Sequence, residues 1–136
     1  MTDNPILVRI SDSGLTVPDE QEIRGRHVVD PDGEQLGTVG DLLVDEEEER
    51  VRFLEVTSGG FLGIGQEKVL IPVDAVTRID DQVHVSTSRS HVEGSPGYDP
   101  ELAAASPLTY YGGLYGYYGM GPYWGQGYVY PGGVPL

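Results

Sequence analysis

Two acidic side chains, Asp41 and Glu55, are the residues of this chain best placed for chemistry, because each interrupts a stretch that otherwise reads as a half-buried strand. A carboxylate turned into a small apolar interior could relay protons. The structural alternative is that Asp41 caps a turn or accepts backbone amides near Gly40, while Glu55 pairs with Arg52 or with an arginine across the sheet. Carboxylates in structural networks are common, and the structural alternative is favoured. The three imidazoles, His27, His84 and His91, form no pair at i,i+2 or i,i+4. Neither a metal site nor a catalytic base is expected from them.

Other motifs lack the context that their chemistry demands. Gly63-Ile64-Gly65 resembles half of a nucleotide-binding loop, but no buried parallel strand and following helix frame it, and no Gly-Lys-Ser or Gly-Lys-Thr occurs. Asp30-Pro31-Asp32-Gly33-Glu34 looks like the start of a calcium loop. The third oxygen ligand before the glycine and the closing glutamate are missing, so a plain turn is expected. Asp45 to Glu49 are five consecutive acids that alternate sides of an extended chain and cannot converge on one ion. A solvated hairpin tip is expected there. No cofactor and no metal are expected anywhere.

The elements that carry these residues read as strands. Ile6 to Ile10 is a short apolar patch suited to an added edge strand, followed by a linker. Ile23 to Val29 stops at Asp30-Pro31-Asp32-Gly33, where proline fixes one φ and glycine accepts the positive φ that follows. The chain returns from Leu36 to Val44 with Gly37 and Gly40 inside the strand, the sign of a bulge or sharp coil. Val51 to Thr57 alternates, with Val51, Phe53 and Glu55 on one face and Arg52, Leu54 and Val56 on the other. Ser58 to Gly65 is a glycine-rich loop carrying Phe61, Leu62 and Ile64. Glu67 to Val73 is closed by Pro72, a turn fits Val73-Asp74-Ala75, and Val76 to Ile79 with Gln82 to Ser86 form a last pair. The expected fold is all-β, a small closed barrel of about six strands.

Charge and composition narrow the function. Eight Lys and Arg against 22 Asp and Glu give a formal charge of −14. Such a surface repels phosphate backbones, so direct nucleic-acid binding is not expected, while basic protein surfaces are attracted. The chain has no cysteine, which excludes disulfides, thiolate metal sites and cysteine nucleophiles and suits a cytoplasmic setting. The first residues carry acid where a secretory leader needs base, and no apolar run approaches the ~20 residues of a membrane helix. After Glu101, the last charged residue, come eight of the nine tyrosines and the only tryptophan, spaced by glycine and proline. Composition predicts a disordered aromatic tail over 101–136 with no single partner; the alternatives are self-association through its rings and a place at a membrane interface, and the acidic body argues against an anionic lipid surface.

Four stretches together carry a family resemblance: Ile23-Arg24-Gly25 with the Asp32-Gly33 turn, Leu36-Gly37-Thr38-Val39-Gly40-Asp41-Leu42-Leu43-Val44-Asp45, Val51-Arg52-Phe53-Leu54-Glu55-Val56, and Val69-Leu70-Ile71-Pro72. The segment from Ile23 to about Pro100 resembles a PRC-barrel domain, the module shared by the photosynthetic reaction centre H subunit and a ribosome maturation factor, in its stand-alone bacterial form. The resemblance implies an extension over 1–20, a compact β-barrel over 21–100 and the tail over 101–136. It also implies a non-enzymatic adaptor that docks on proteins, with no catalytic residues to carry over. These residues hold neither a match to the membrane helix of the reaction-centre subunit nor one to the preceding domain of the maturation factor, so neither specific role is expected to carry over. Partners are expected to be proteins, including a second copy in a homodimer joined by a strand edge or by Phe61-Leu62-Gly63-Ile64. The expected interaction surface is Phe61, Leu62, Ile64, Tyr110, Tyr111, Tyr115, Tyr117, Tyr118, Tyr123 and Trp124. The alternative is a membrane-peripheral component of a photosynthetic or electron-transfer complex at the inner face of the cell membrane.

Overall fold

A computed structural model describes residues 7–13, 22–45, 48, 50–58, 67–125 and 127–128. In chain order the elements are β1 (Leu7–Arg9), a helical turn α1 (Ile10–Ser13), β2 (His27–Val29), β3 (Gln35–Asp45), β4 (Arg50–Ser58), β5 (Glu67–Pro72), a 3-10 turn (Val73–Ala75), β6 (Val76–Ile79), β7 (Val83–Val85), α2 (Arg89–Glu93), α3 (Pro100–Ala105) and α4 (Pro107–Tyr117).

The strands form one sheet in the order β5-β4-β3-β2-β7-β6, and β1 pairs with β3 off that path. β2 and β1 divide one edge of β3 between them, His27 facing Thr38 and Leu7 facing Asp45. All pairings are antiparallel except β2 with β7. The sheet curls around a single main core. Val28, Val76, Val83 and Val85 enter it from one half, and Leu42, Leu54, Val56 and Ile71 from the other. The closed barrel expected from sequence is not shown, because no ladder joins the end strands β5 and β6. Pro72 ends β5 without an amide to donate, and the three-residue 3-10 turn leads directly into β6.

Three bulges shape β3 and β4. Leu36 and Gly40 are extra residues on β3, and Arg52 is the extra residue on β4. At Gly37 a Cβ would stand 2.3 Å from the Thr57 carbonyl oxygen, so only glycine lets the two strands approach so closely. The bulge at Arg52 also resets the alternation, because one added residue exchanges the faces of everything before it. Val51 therefore joins the main core with Leu54 and Val56, while Phe53 packs on the outer face, against the single face expected for Val51 and Phe53.

The segment expected to be a disordered tail is helical over α3 and α4, which corrects the reading from composition there, while 126 and 129–136 lie outside the described residues. Asp99 caps α3 by accepting the Leu102 amide, and Pro100 and Pro107 open the two helices where a missing amide hydrogen costs nothing. Buried Tyr111, Leu114, Tyr115 and Tyr118 fall at i, i+3, i+4 and i+7. That is the core-facing stripe of a helix. The pattern is hidden in the sequence because Tyr110 and Tyr117 beside the stripe are aromatic as well, leaving no polar contrast.

Candidate interaction surface

The outer face of β3, β4 and β5 carries the sheet's second set of apolar side chains. Register places Asp41, Glu55 and Leu70 side by side in one row, and Leu43, Phe53 and Pro72 in the next. Leu43, Phe53 and Leu70 form a second core with Ala103, Tyr111, Leu114 and Tyr115 of the tail helices. Phe53 is the centre of this layer, fully buried, with the ring centroids of Tyr115 and Tyr111 at 4.9 and 5.5 Å. Trp124 meets Tyr115 edge-on at 5.9 Å and Tyr123 at 5.1 Å. Offset and edge-to-face rings add about 0.5–1.5 kcal/mol per pair to the burial itself.

Arginines flank this aromatic layer. Arg52, only 2% exposed, pairs with Asp45 at 3.2 Å and with Glu48, and its guanidinium lies 4.1 Å from the Tyr123 ring centroid. The run of acids is thus not wholly solvated, since Asp45 ends β3 as a buried partner of Arg52, while 46, 47 and 49 lie outside the described residues. On the other flank Arg9 of β1 lies 5.8 Å from the Tyr98 ring. Arg9 also stands 2.9 Å from Glu55, as an ion pair rather than an aligned hydrogen bond.

The two candidate carboxylates are 7% (Asp41) and 3% (Glu55) exposed and face each other across β3 and β4. Their partners are structural. Asp41 accepts hydrogen bonds from the Ser11 hydroxyl at 2.6 Å and the Leu42 amide at 2.8 Å, which holds α1 on the sheet. Glu55 is balanced by Arg9 and by Lys68 at 3.5 Å, not by Arg52. Asp30 was not singled out as a buried acid, yet it ties the first turn to α2. Its carboxylate accepts the amides of Asp32, Glu34 and Arg89. Burial alone would raise its pKa, but the amides of Glu34, Arg89 and Asp32 outweigh burial and hold it below the usual carboxylate value.

The expected surface residues divide into groups. Phe61, Leu62 and Ile64 lie outside the described residues. Tyr110, Tyr111, Tyr115, Tyr123 and Trp124 gather over Phe53 instead of standing in solvent. Tyr117 and Tyr118 turn to α2. The His91 ring stacks on Tyr117 with centroids 4.3 Å apart, His91 Nε2 meets the Tyr117 carbonyl at 2.8 Å, and the Tyr117 hydroxyl donates to the His91 carbonyl at 2.7 Å. This reciprocal latch joins the end of α4 to the end of the sheet domain. Sequence gave no signal for it, since the two residues are 26 positions apart.

His84 bonds to Asp80 and Arg78, and His27 bonds to Gln35, all near the surface. Among the described residues, no three His, Asp or Glu side chains could hold a metal ion. An open cavity of about 370 Å³ is lined by Asp74, Met120, Pro122, Gly125 and Tyr128. Burial raises the Asp74 pKa, and the Tyr128 hydroxyl partly offsets this. No helix among the described residues is long and apolar enough to cross a membrane.

The PRC-barrel domain model matches residues 21–92, from the residues before β2 to within α2. The chain belongs to the PRC-barrel domain family. The match ends before the tail, so the PRC barrel supplies the face formed by Leu43, Phe53 and Leu70, and a segment outside the match covers it. No curated protein matches the chain.

Proposed function

We propose that the protein is a non-enzymatic PRC-barrel adaptor module, cytoplasmic, that works by binding another protein. The observation that carries this reading is the outer face of β3–β4–β5, where the family domain presents a second apolar and aromatic layer beside its main core. The buried charges give further support. Asp30, Asp41, Asp45, Arg52 and Glu55 are each engaged by named partners within the fold. An acidic chain of formal charge −14 favours a partner with a basic rim around an apolar centre.

The membrane-peripheral reading draws less support, because the rings it would place at a lipid interface, Tyr111 and Tyr115, are packed on Phe53. Crosslinking in the native cell, followed by reconstitution of the captured protein with the purified chain, tests the adaptor reading. A saturable one-to-one complex is expected. Membrane-only capture or turnover of a small molecule would overturn it.

A further inference from the structure

We propose that the outer face of β3–β4–β5 is the docking surface of this adaptor and that the tail, Tyr98 to Trp124, is a displaceable cap on it. The partner that takes its place is an uncharged, aromatic helical segment of another protein. This inference rests on the adaptor reading and adds where the partner binds and what holds it off.

The chemistry of the occupant is visible in the cap. Three features of the sheet receive aromatic rings: Phe53 at the centre takes Tyr111 and Tyr115, Arg52 takes Tyr123, and Arg9 of β1 takes Tyr98. Beyond Glu101 the cap has no charged residue. A face with an aromatic centre and an arginine on each flank suits rings without charge.

The cap is also a poor occupant. α4 spends three of its eleven positions on Gly112, Gly113 and Gly116, each of which disfavours the helix about fivefold relative to alanine. Its N-terminus has no side-chain cap. The Tyr115 hydroxyl, in a residue with no solvent exposure, has no hydrogen-bond partner among the described residues. A buried donor left unmade weakens docking. Besides its packing on Leu43, Phe53 and Leu70, the cap is held by proximity, through the short connection over 94–97 and the His91–Tyr117 latch. A second copy offers the same flawed segment without that proximity, so it cannot displace the first. A segment with a better helix and no hydroxyl over Phe53 can.

The test uses the full chain and a labelled synthetic peptide of residues 98–125 carrying Gly113→Ala, Gly116→Ala and Tyr115→Phe. A Cβ at Gly113 or Gly116 meets nothing within 4 Å, so the same two alanines also fit the chain itself. The peptide should bind the wild-type chain saturably and at least tenfold more tightly than the unsubstituted peptide. With Gly113→Ala and Gly116→Ala in the chain, its own cap closes and peptide affinity should fall about 25-fold, since apparent affinity scales with the open fraction. Equal affinity for both chains, or no saturable binding, overturns the proposal. A tail-exchanged dimer assigns the face to a second copy and overturns it as well. A cellular partner whose capture ignores the two alanines keeps the adaptor reading and overturns this one, whereas peptide exchange without any cellular partner supports the cap and removes the adaptor.

Discussion

The Phe53 ring of β4 lies 4.9 Å from the Tyr115 ring of α4, and neither residue has any solvent exposure. One belongs to the PRC barrel and the other to the segment beyond the family match. Replacing Phe53 by alanine removes the centre of the outer layer and leaves a cavity, at a cost of about 3–5 kcal/mol. Denaturant unfolding should show the loss, and Trp124 emission should shift to the red as its layer loosens. An unchanged Trp124 spectrum would contradict the layer described here.

Tyr115→Phe is expected to stabilise the chain. The substitution keeps the ring against Phe53 and deletes a buried hydroxyl with no partner among the described residues, so a gain of about 1 kcal/mol is expected. Urea midpoints at unchanged slope measure it. A midpoint that falls would mean the hydroxyl is satisfied.

Alkali should release the cap before it unfolds the barrel. Burial raises the pKa of Tyr111, with Tyr98 and Tyr110 adding to the shift, and burial likewise raises that of Tyr115, with Asp74 adding. A folded pKa above the unfolded value gives stability that is complete below the ordinary tyrosine pKa of about 10 and is lost as pH rises beyond it. Absorbance titration at alkaline pH should therefore show a late group of tyrosines that ionise together with the change in Trp124 emission. Tyrosines that all titrate near pH 10 with no late group would contradict this.

Asp30 sets an acid limit on the first turn. Its folded pKa is depressed, so its stabilising contribution is present above the unfolded value of about 3.9 and is lost as pH falls through the folded one. Asp30→Ala should melt below wild type at neutral pH. The gap should narrow as pH drops below about 4. A gap that stays constant down to the acid limit would assign the effect to packing alone.

The fold was legible where backbone chemistry constrains it. The Asp30–Gly33 turn forms as expected, with the Gly33 amide bonded to the Asp30 carbonyl and Gly33 at φ 83°, and Gly40 is the bulge residue that its place inside a strand suggests. The face of Val51 was not legible. Arg52 gives no local sign of being an extra residue, and its partners Asp45, Glu48 and Tyr123 are visible only in the fold. The tail was misread because α4 carries three glycines and no polar contrast, although Glu101 to Ala105 of α3 are good helix formers. Its order comes from Phe53, Leu43 and Leu70, which lie about 40 to 75 residues earlier in the chain.

Native-state hydrogen exchange on the full chain tests the displaceable cap most directly. Amides of α4 from Tyr111 to Tyr118 should exchange through an opening that costs much less than global unfolding, while β4 amides around Leu54 stay protected. Gly113→Ala with Gly116→Ala should slow exchange in α4 alone. Exchange of α4 and β4 through one common opening, moved together by the two alanines, would contradict the account.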